Sequence, residues 1–506
     1  MPKPASDKLF RLIKGLTPAE KRHISVLVKA RPADHNKYLT LFHEMDVAHA
    51  PDDAAIRDKI YPNAAEGKKY PELKAYLYTF ILKCLQVYDE KRSIDQRIRH
   101  RLHSVEVLYR RGLYDDCDEL LLKTTKIARQ YEDFSALIEV LNWEKKLAYT
   151  RMDVNFLHRQ LQRIQHEEQL AVNMLENAAA YRQVFFQVYQ IIKEDTRQNS
   201  HEQLTALRDH ELFLSPDMAL SHRAKIYYFR AQNLMHYAQK DYPAFHETGQ
   251  QLLTLLESKP HFLKIDLSDY IATLSNLILA CGLLGRYDAV NQHLHKLQQL
   301  EPITLDDRQK IHRQYFTNKF VLCMYTGAFD EARREMQRCR QEAQDMGPEV
   351  FESASFYFQF CCICFGCGEY EDALEYLHHW QNQPKSVERE DLQSLARMIQ
   401  LILHFELDNK LLLESLLRSA TRFLRKKNRF AAFEKRFLKL MNGLMQADSS
   451  ESGRLLLEHM FAEMSKWRKD SAVQTLLQTF DLEAWMEGRL SNRPFAEVVR
   501  AKRKTG

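Results

Sequence analysis

Glycine and proline are scarce in this chain, each occurring 14 times in 506 residues, against average shares of about 7% and 5%. Few turns and long uninterrupted stretches follow. Long apolar runs are missing as well: no stretch approaches the roughly 18 apolar residues that a membrane helix needs. The N-terminus, MPKPASDKLFRLIKGLTPAEKR, lacks the apolar core and small-residue cleavage site of a secretory signal. Nine cysteines form an odd count without framework spacing, which favours reduced thiols and a cytoplasmic setting over disulfides. No alternating apolar–polar run is long enough for a sheet.

Several chemistries lack their signatures. There is no G-x-x-x-x-G-K-[ST] phosphate cradle and no G-x-S-x-G elbow. Gly366-Cys367-Gly368 is followed by Glu371 where a dinucleotide fingerprint needs glycine. His43-Glu44 and His166-Glu167 start zinc-protease motifs that fail at Val47 and Leu170. The expectation is a chain that is not an enzyme and holds no cofactor.

What is present is ordinary in bulk, 45% hydrophobic and 28% charged, and does not indicate disorder. The net charge of +5 conceals an asymmetry. Residues 1–100 carry 19 basic and 13 acidic side chains and residues 415–506 carry 19 and 10, leaving 35 and 45 between them. Basic ends thus flank an acidic middle.

Helical spacing runs through nearly every segment. Leu73, Leu77, Phe80, Ile81, Cys84, Leu85 and Tyr88 trace one helix face opened by Pro71. Thr17-Pro18-Ala19-Glu20 reads as a capping box with proline at the first helical position. The chain is expected to be all-α.

A period is visible within it. Turns of the form G-x-[YF] stand at Gly112, Gly285, Gly327 and Gly368, with weaker copies at Asp153, near Arg197, at Lys240, at Asn409 and at Gly453. Successive intervals are 41, 44, 43, 45, 42, 41, 41 and 44 residues. Pro216, Pro260, Pro302, Pro348 and Pro384 follow turns by 16 to 21 residues, where each would end a helix. The unit is helix, tight turn, helix, proline-marked turn, repeated about nine times.

Gly327-Ala328-Phe329-Asp330-Glu331-Ala332 and Gly368-Glu369-Tyr370-Glu371-Asp372-Ala373 resemble the turn and second helix of tetratricopeptide (TPR) repeats. Two features depart from that family. Its unit is about 34 residues long, and its first-helix Trp-Leu-Gly pattern is missing here. The resemblance spans roughly residues 95–490 and implies a right-handed α-solenoid of TPR-like hairpins, with a concave surface that binds a peptide or helix. The segment from Val107 to Leu147 is also similar to uncharacterised repeat proteins of Bacteroidota, which implies no function. Three regions result: an N-terminal helical cap over 1–95, the repeats over 96–490 and a basic C-terminal tail over 491–506.

FCCICFGCGEY, from Phe360 to Tyr370, places Cys361, Cys364 and Cys367 at C-x2-C-x2-C spacing. The repeat accounts for them without a metal. Cys281, Cys323 and Cys364 each stand four residues before a turn glycine, a slot that Leu108, His236 and Phe405 fill elsewhere. A position open to Cys, Leu or Phe is a packing position. The pairs His293–His295 and His378–His379 point to different helix faces and read as solvated.

The segment RFLRKKNRFAAFEKRFLK, from Arg422 to Lys439, interleaves basic residues with Phe423, Phe430, Phe433 and Phe437. The spacing of the phenylalanines makes a buried stripe rather than a stacking platform. Nucleic acid is therefore not the expected partner.

These readings converge on a non-catalytic protein-interaction scaffold with a protein or peptide partner. The alternative is a ligand-sensing TPR-type regulator acting on DNA or a protein partner. For the binding surface, nine residues before the turn glycine stand Asn276, Asn318 and Gln359, with Arg230 one position over in the preceding unit. Amides offer both donors and an acceptor, suited to the backbone of an extended peptide.

Overall fold

A computed structural model describes residues 7–29, 36–48, 51–63, 66–90, 93–194, 200–208, 210–346, 356–383, 390–425, 431–447, 449–467, 473, 477 and 479–504. Among them there are helices and turns and no strand, so the protein is all-α. No helix among them is long and apolar enough to cross a membrane. The chain divides into two compact units: Met1–Leu284 with Glu301–Asp307, and Gly285–Leu300 with Arg308–Gly506.

The first unit begins with short helices, Lys8–Lys14, Pro18–Lys29, Asn36–Val47 and Asp53–Ile60, packed with the longer Tyr70–Glu90. Thr17 and Glu20 form the expected capping box. The Thr17 N–H donates to Glu20 Oε2 at 2.7 Å, and the Glu20 N–H donates to Thr17 Oγ1 at 3.3 Å. Leu73, Leu77, Ile81 and Cys84 join Leu9, Ile13, Ile24, Leu41 and Phe42 in one buried cluster. A separate cluster begins at Ile94 and takes in Ile98, Leu102, Val105, Leu121 and Val140. The chain thus changes cores between Cys84 and Ile94, where the period begins.

From Ile94 onward helices pair with their sequence neighbours, and one turn geometry recurs. At Gly112 φ is 74°. The Leu113 N–H reaches back to the Leu108 carbonyl at 3.2 Å, and the Gly112 N–H bonds the Tyr109 carbonyl at 3.0 Å. This 6→1 and 5→2 pair is the Schellman helix end, which needs one residue in the left-handed region. Glycine enters that region freely, whereas an L-residue costs about 1 kcal/mol there. Gly285, Gly327 and Gly368 have φ of 71°, 73° and 78°.

Met152, Lys240 and Asp408 take the same role without being glycine, with φ of 53°, 61° and 54°. Their following residues bond back to the carbonyls of Ala148, His236 and His404. The left-handed residues from Lys240 to Asp408 stand 45, 42, 41 and 40 positions apart. Two expected turn positions, Asp153 and Asn409, therefore move back by one residue. The residue that sets the register is the one with positive φ, and composition marks it only when it is glycine.

Two other expectations differ more. Gly453 is no turn residue, because Ser449 and Ser452 exchange capping bonds and the helix Ser450–Trp467 has already begun. The expected turn near Arg197 and the prolines Pro348 and Pro384 lie outside the described residues. The helix Val154–Glu194 runs 41 residues without a break, across the place where the period calls for a proline-marked turn. It contains neither glycine nor proline, so nothing stops it. Pro216 and Pro260 each open a short helical turn at its first position.

One long-range tie holds the first unit together. Glu132 has φ of 53° in the turn between Tyr114–Gln130 and Phe134–Thr150. Its carboxylate accepts from the His222 N–H at 2.9 Å and from Lys259 Nζ at 2.7 Å. It thereby caps a helix 90 residues downstream.

In the second unit the stretch expected as a basic tail is mostly a docked helix, Phe495–Lys504, with Val498 and Val499 buried. The Phe495 ring packs against Phe329, Phe365 and Phe480 at 5.6, 5.2 and 5.7 Å. Arg500 Nε donates to the Gly327 carbonyl at 2.8 Å, and Lys502 pairs with Asp481 at 3.1 Å. A Cβ at Gly327 would stand 2.7 Å from Arg500 Cγ, so this turn needs glycine for space as well as for φ.

Candidate functional site

The four residues singled out for partner binding are half-buried, and each donates to a group of the chain itself. Arg230 Nη1 bonds Asp269 Oδ1 at 2.5 Å, with its guanidinium 4.3 Å from the Phe185 ring. Asn276 Nδ2 donates to Asn233 Oδ1 at 3.0 Å, and Asn233 Nδ2 donates to the Phe245 carbonyl at 2.7 Å. Asn318 Nδ2 bonds the Gln314 carbonyl one turn back at 2.7 Å, and Gln359 Nε2 bonds the Thr317 carbonyl at 3.2 Å. Arg230 and Asn276 belong to the first unit, Asn318 and Gln359 to the second. Asn276 and Gln359 thus tie a helix to the one about a repeat earlier.

The carbonyls of Cys323 and Cys364 accept the 6→1 bonds of their turns, at 2.8 and 2.9 Å. Cys281, Cys323 and Cys364 are 0%, 1% and 0% exposed. Burial pushes the Cys323, Cys362 and Cys364 thiols up to about 12, away from the thiolate that binds metal. Cys361, Cys364 and Cys367 all lie on the helix Tyr357–Cys367 and do not gather their sulfurs. Among the described residues, the group of three possible ligand atoms within 4.8 Å of one another is Cys364, Glu369 and Asp372. Arg333 lies against both of these carboxylates, at 2.9 and 3.0 Å, and supplies the positive charge that a cation would bring.

The histidines divide. His295, His378 and His379 are exposed as expected, but His293 is 8% exposed. It shares the inward face of its helix with Val290, Leu294 and Leu297.

Among the concavities of the second unit with the size of binding sites are two that combine charged with aromatic side chains. The larger, about 770 Å³, is walled by Phe405, Glu406, Arg454, Trp485, Arg489 and Arg493 among others. Its charges are spent internally. Arg454 pairs with Glu458, Arg489 with Glu406 and Arg493 with Glu487, and Glu406 also accepts from Trp485 Nε1 at 2.8 Å.

The second, about 490 Å³, lies between the helices Ala431–Gln446 and Ser450–Trp467 and is lined by Ala432, Lys435, Arg436, Lys439, Glu463, Lys466 and Trp467. Phe433 and Phe437 are buried, as are the adjoining Glu434 and Leu438, and Lys435 and Lys439 come round to the opposite, exposed face of the same helix. Of the other two phenylalanines, Phe423 lies 3.9 Å under the Arg397 guanidinium and Phe430 is outside the described residues. Arg436 grips Glu463 through two bonds of 2.6 and 2.9 Å. That grip, with the charges of His459 and Lys466, holds the Glu463 carboxyl below the usual carboxylate range. Lys435, Lys439 and Lys466 are exposed, and among the described residues no ion pair involves them.

Sequence reasoning found Lys435, Arg436 and Lys439 but missed Lys466 and Trp467. They arrive from the partner helix of an antiparallel hairpin, in which Arg436 and Glu463 stand about equally far from the turn at Ser449. Pairing residues across that turn would have found them. Comparison with family models, with curated proteins and with solved structures gives no match.

Proposed function

We propose that this chain is a non-catalytic protein-interaction scaffold built from TPR-like helical hairpins and takes a peptide or helix from a protein partner. The observation that carries this reading is the left-handed turn residue recurring at 40 to 45 residues from Lys240 to Asp408. A repeated hairpin cannot bury its apolar face alone and does so against its neighbours. Stacking of that kind leaves an extended surface of outward side chains, suited to long ligands rather than to one small substrate. The neutral, burial-raised thiols of Cys323, Cys362 and Cys364 accord with packing rather than nucleophilic or metal chemistry.

The test is affinity purification of the full chain with mass spectrometry, followed by reconstitution with the recovered protein. The expected result is a stoichiometric complex of purified components. If the chain instead binds a defined DNA sequence at physiological salt, the scaffold gives way to the ligand-sensing regulator.

A further inference from the structure

We propose that the cleft between Ala431–Gln446 and Ser450–Trp467 is the seat of an acidic peptide segment of the partner. Three exposed lysines, Lys435, Lys439 and Lys466, line one cavity of about 490 Å³. Lys435 and Lys439 are four residues apart on one helix, an arrangement that destabilises it through like-charge repulsion. A bound carboxylate relieves that repulsion and finds lysines already exposed and in place.

The rest of the lining separates a peptide from other anions. Arg436 is not a free cation, since it holds Glu463 through bonds of 2.6 and 2.9 Å and also reaches His459 Nδ1 at 3.0 Å. The Arg436–Glu463 pair fixes a carboxylate in the cleft wall. A nucleic-acid backbone brings only acceptors to such a wall and meets repulsion. A peptide brings backbone N–H donors for Glu463 together with side-chain carboxylates for the lysines. Trp467 adds apolar surface, half-buried with its ring 5.6 Å from Phe433 at 66°. An acidic segment carrying one aromatic or large apolar residue therefore matches donors, acceptors and apolar area together. This proposal rests on the scaffold reading and names the chemistry of the partner.

The probe is a fluorescein-labelled ten-residue peptide of Glu and Asp around a single Phe, titrated against the full chain and followed by polarisation. Binding is expected, and it should weaken as salt is raised. Replacing Lys435, Lys439 and Lys466 with Ala together should weaken it tenfold or more. The equal charge change Lys83→Ala, Lys126→Ala and Lys264→Ala, at exposed positions elsewhere, should leave it within twofold. Trp467→Ala should also weaken binding, separating a shaped site from a diffuse charge effect. Several results overturn the proposal: no binding at low salt, equal losses in the two triple variants, or a single-stranded oligonucleotide displacing the peptide through the same lysines. The reconstituted complex distinguishes the two levels. If it forms with wild type and the Lys435 triple variant alike, the cleft proposal falls and the scaffold stands. If neither the complex nor peptide binding is obtained, both fall.

Discussion

At Gly366 one added methyl group probes how closely a helix packs on Phe329. This glycine lies within Tyr357–Cys367, and a Cβ built there would stand 2.0, 2.3 and 2.4 Å from three atoms of the Phe329 ring. Carbon atoms in contact sit about 3.5–4.0 Å apart, so Gly366→Ala requires the ring to retreat by more than about 1 Å. Phe329 is 2% exposed and packs against Phe495, which resists that retreat. In an open helix the same substitution stabilises by about 1 kcal/mol. Overpacking of a filled core costs about 1–3 kcal/mol, and a contact this short belongs at or above the top of that range. The net expectation is a loss of about 2 kcal/mol, read as a lower urea midpoint by circular dichroism. Gly443→Ala is the comparator, since its Cβ meets only Leu456 Cδ1 at 2.9 Å, the end of a side chain that is 37% exposed. That variant should stay near the wild-type midpoint. Phe329→Leu should recover part of the loss in the Gly366→Ala background. A midpoint for Gly366→Ala at or above wild type would refute the packing.

Burial, with Lys259 nearby, pushes the His222 imidazole from 6.5 down to about 4. The unfolded chain therefore takes up this proton first, and stability should fall as the pH drops through that window and level off below it. His222→Leu should flatten this part of the pH profile in urea titrations, and an unchanged profile would count against it. The buried cysteines of Tyr357–Cys367 should resist a thiol reagent in the native state, because burial holds their thiols well above the ordinary value; rapid modification of Cys364 would contradict this. Elemental analysis should find no stoichiometric zinc or iron, since Arg333 neutralises Glu369 and Asp372; one metal per chain, lost in Cys364→Ser, would overturn that.

Much of the fold was legible because its punctuation is chemical. Gly112, Gly327 and Gly368 reveal their turns since glycine is the residue with free access to positive φ. Met152 and Asp408 reveal theirs only to within one residue, because side chains that tolerate strain do not signal it. The unbroken Val154–Glu194 could not be read from spacing. A helix continues by default, and the missing signal was an absence of breakers in a chain already poor in them.

Site residues were harder for a related reason. Asn276 and Gln359 recur at one offset from the turn, and recurrence in a repeat marks whatever each unit must do, including holding the next unit. Asn276 bonds Asn233, 43 residues earlier, and Gln359 bonds the Thr317 carbonyl, 42 residues earlier. Those bonds have the period of the repeat itself. A partner-binding feature need not repeat at all. Lys435, Lys439, Lys466 and Trp467 come together in one hairpin and have no matching set at the preceding offsets. In a periodic chain, function is better sought in departures from the period than in its strongest echoes.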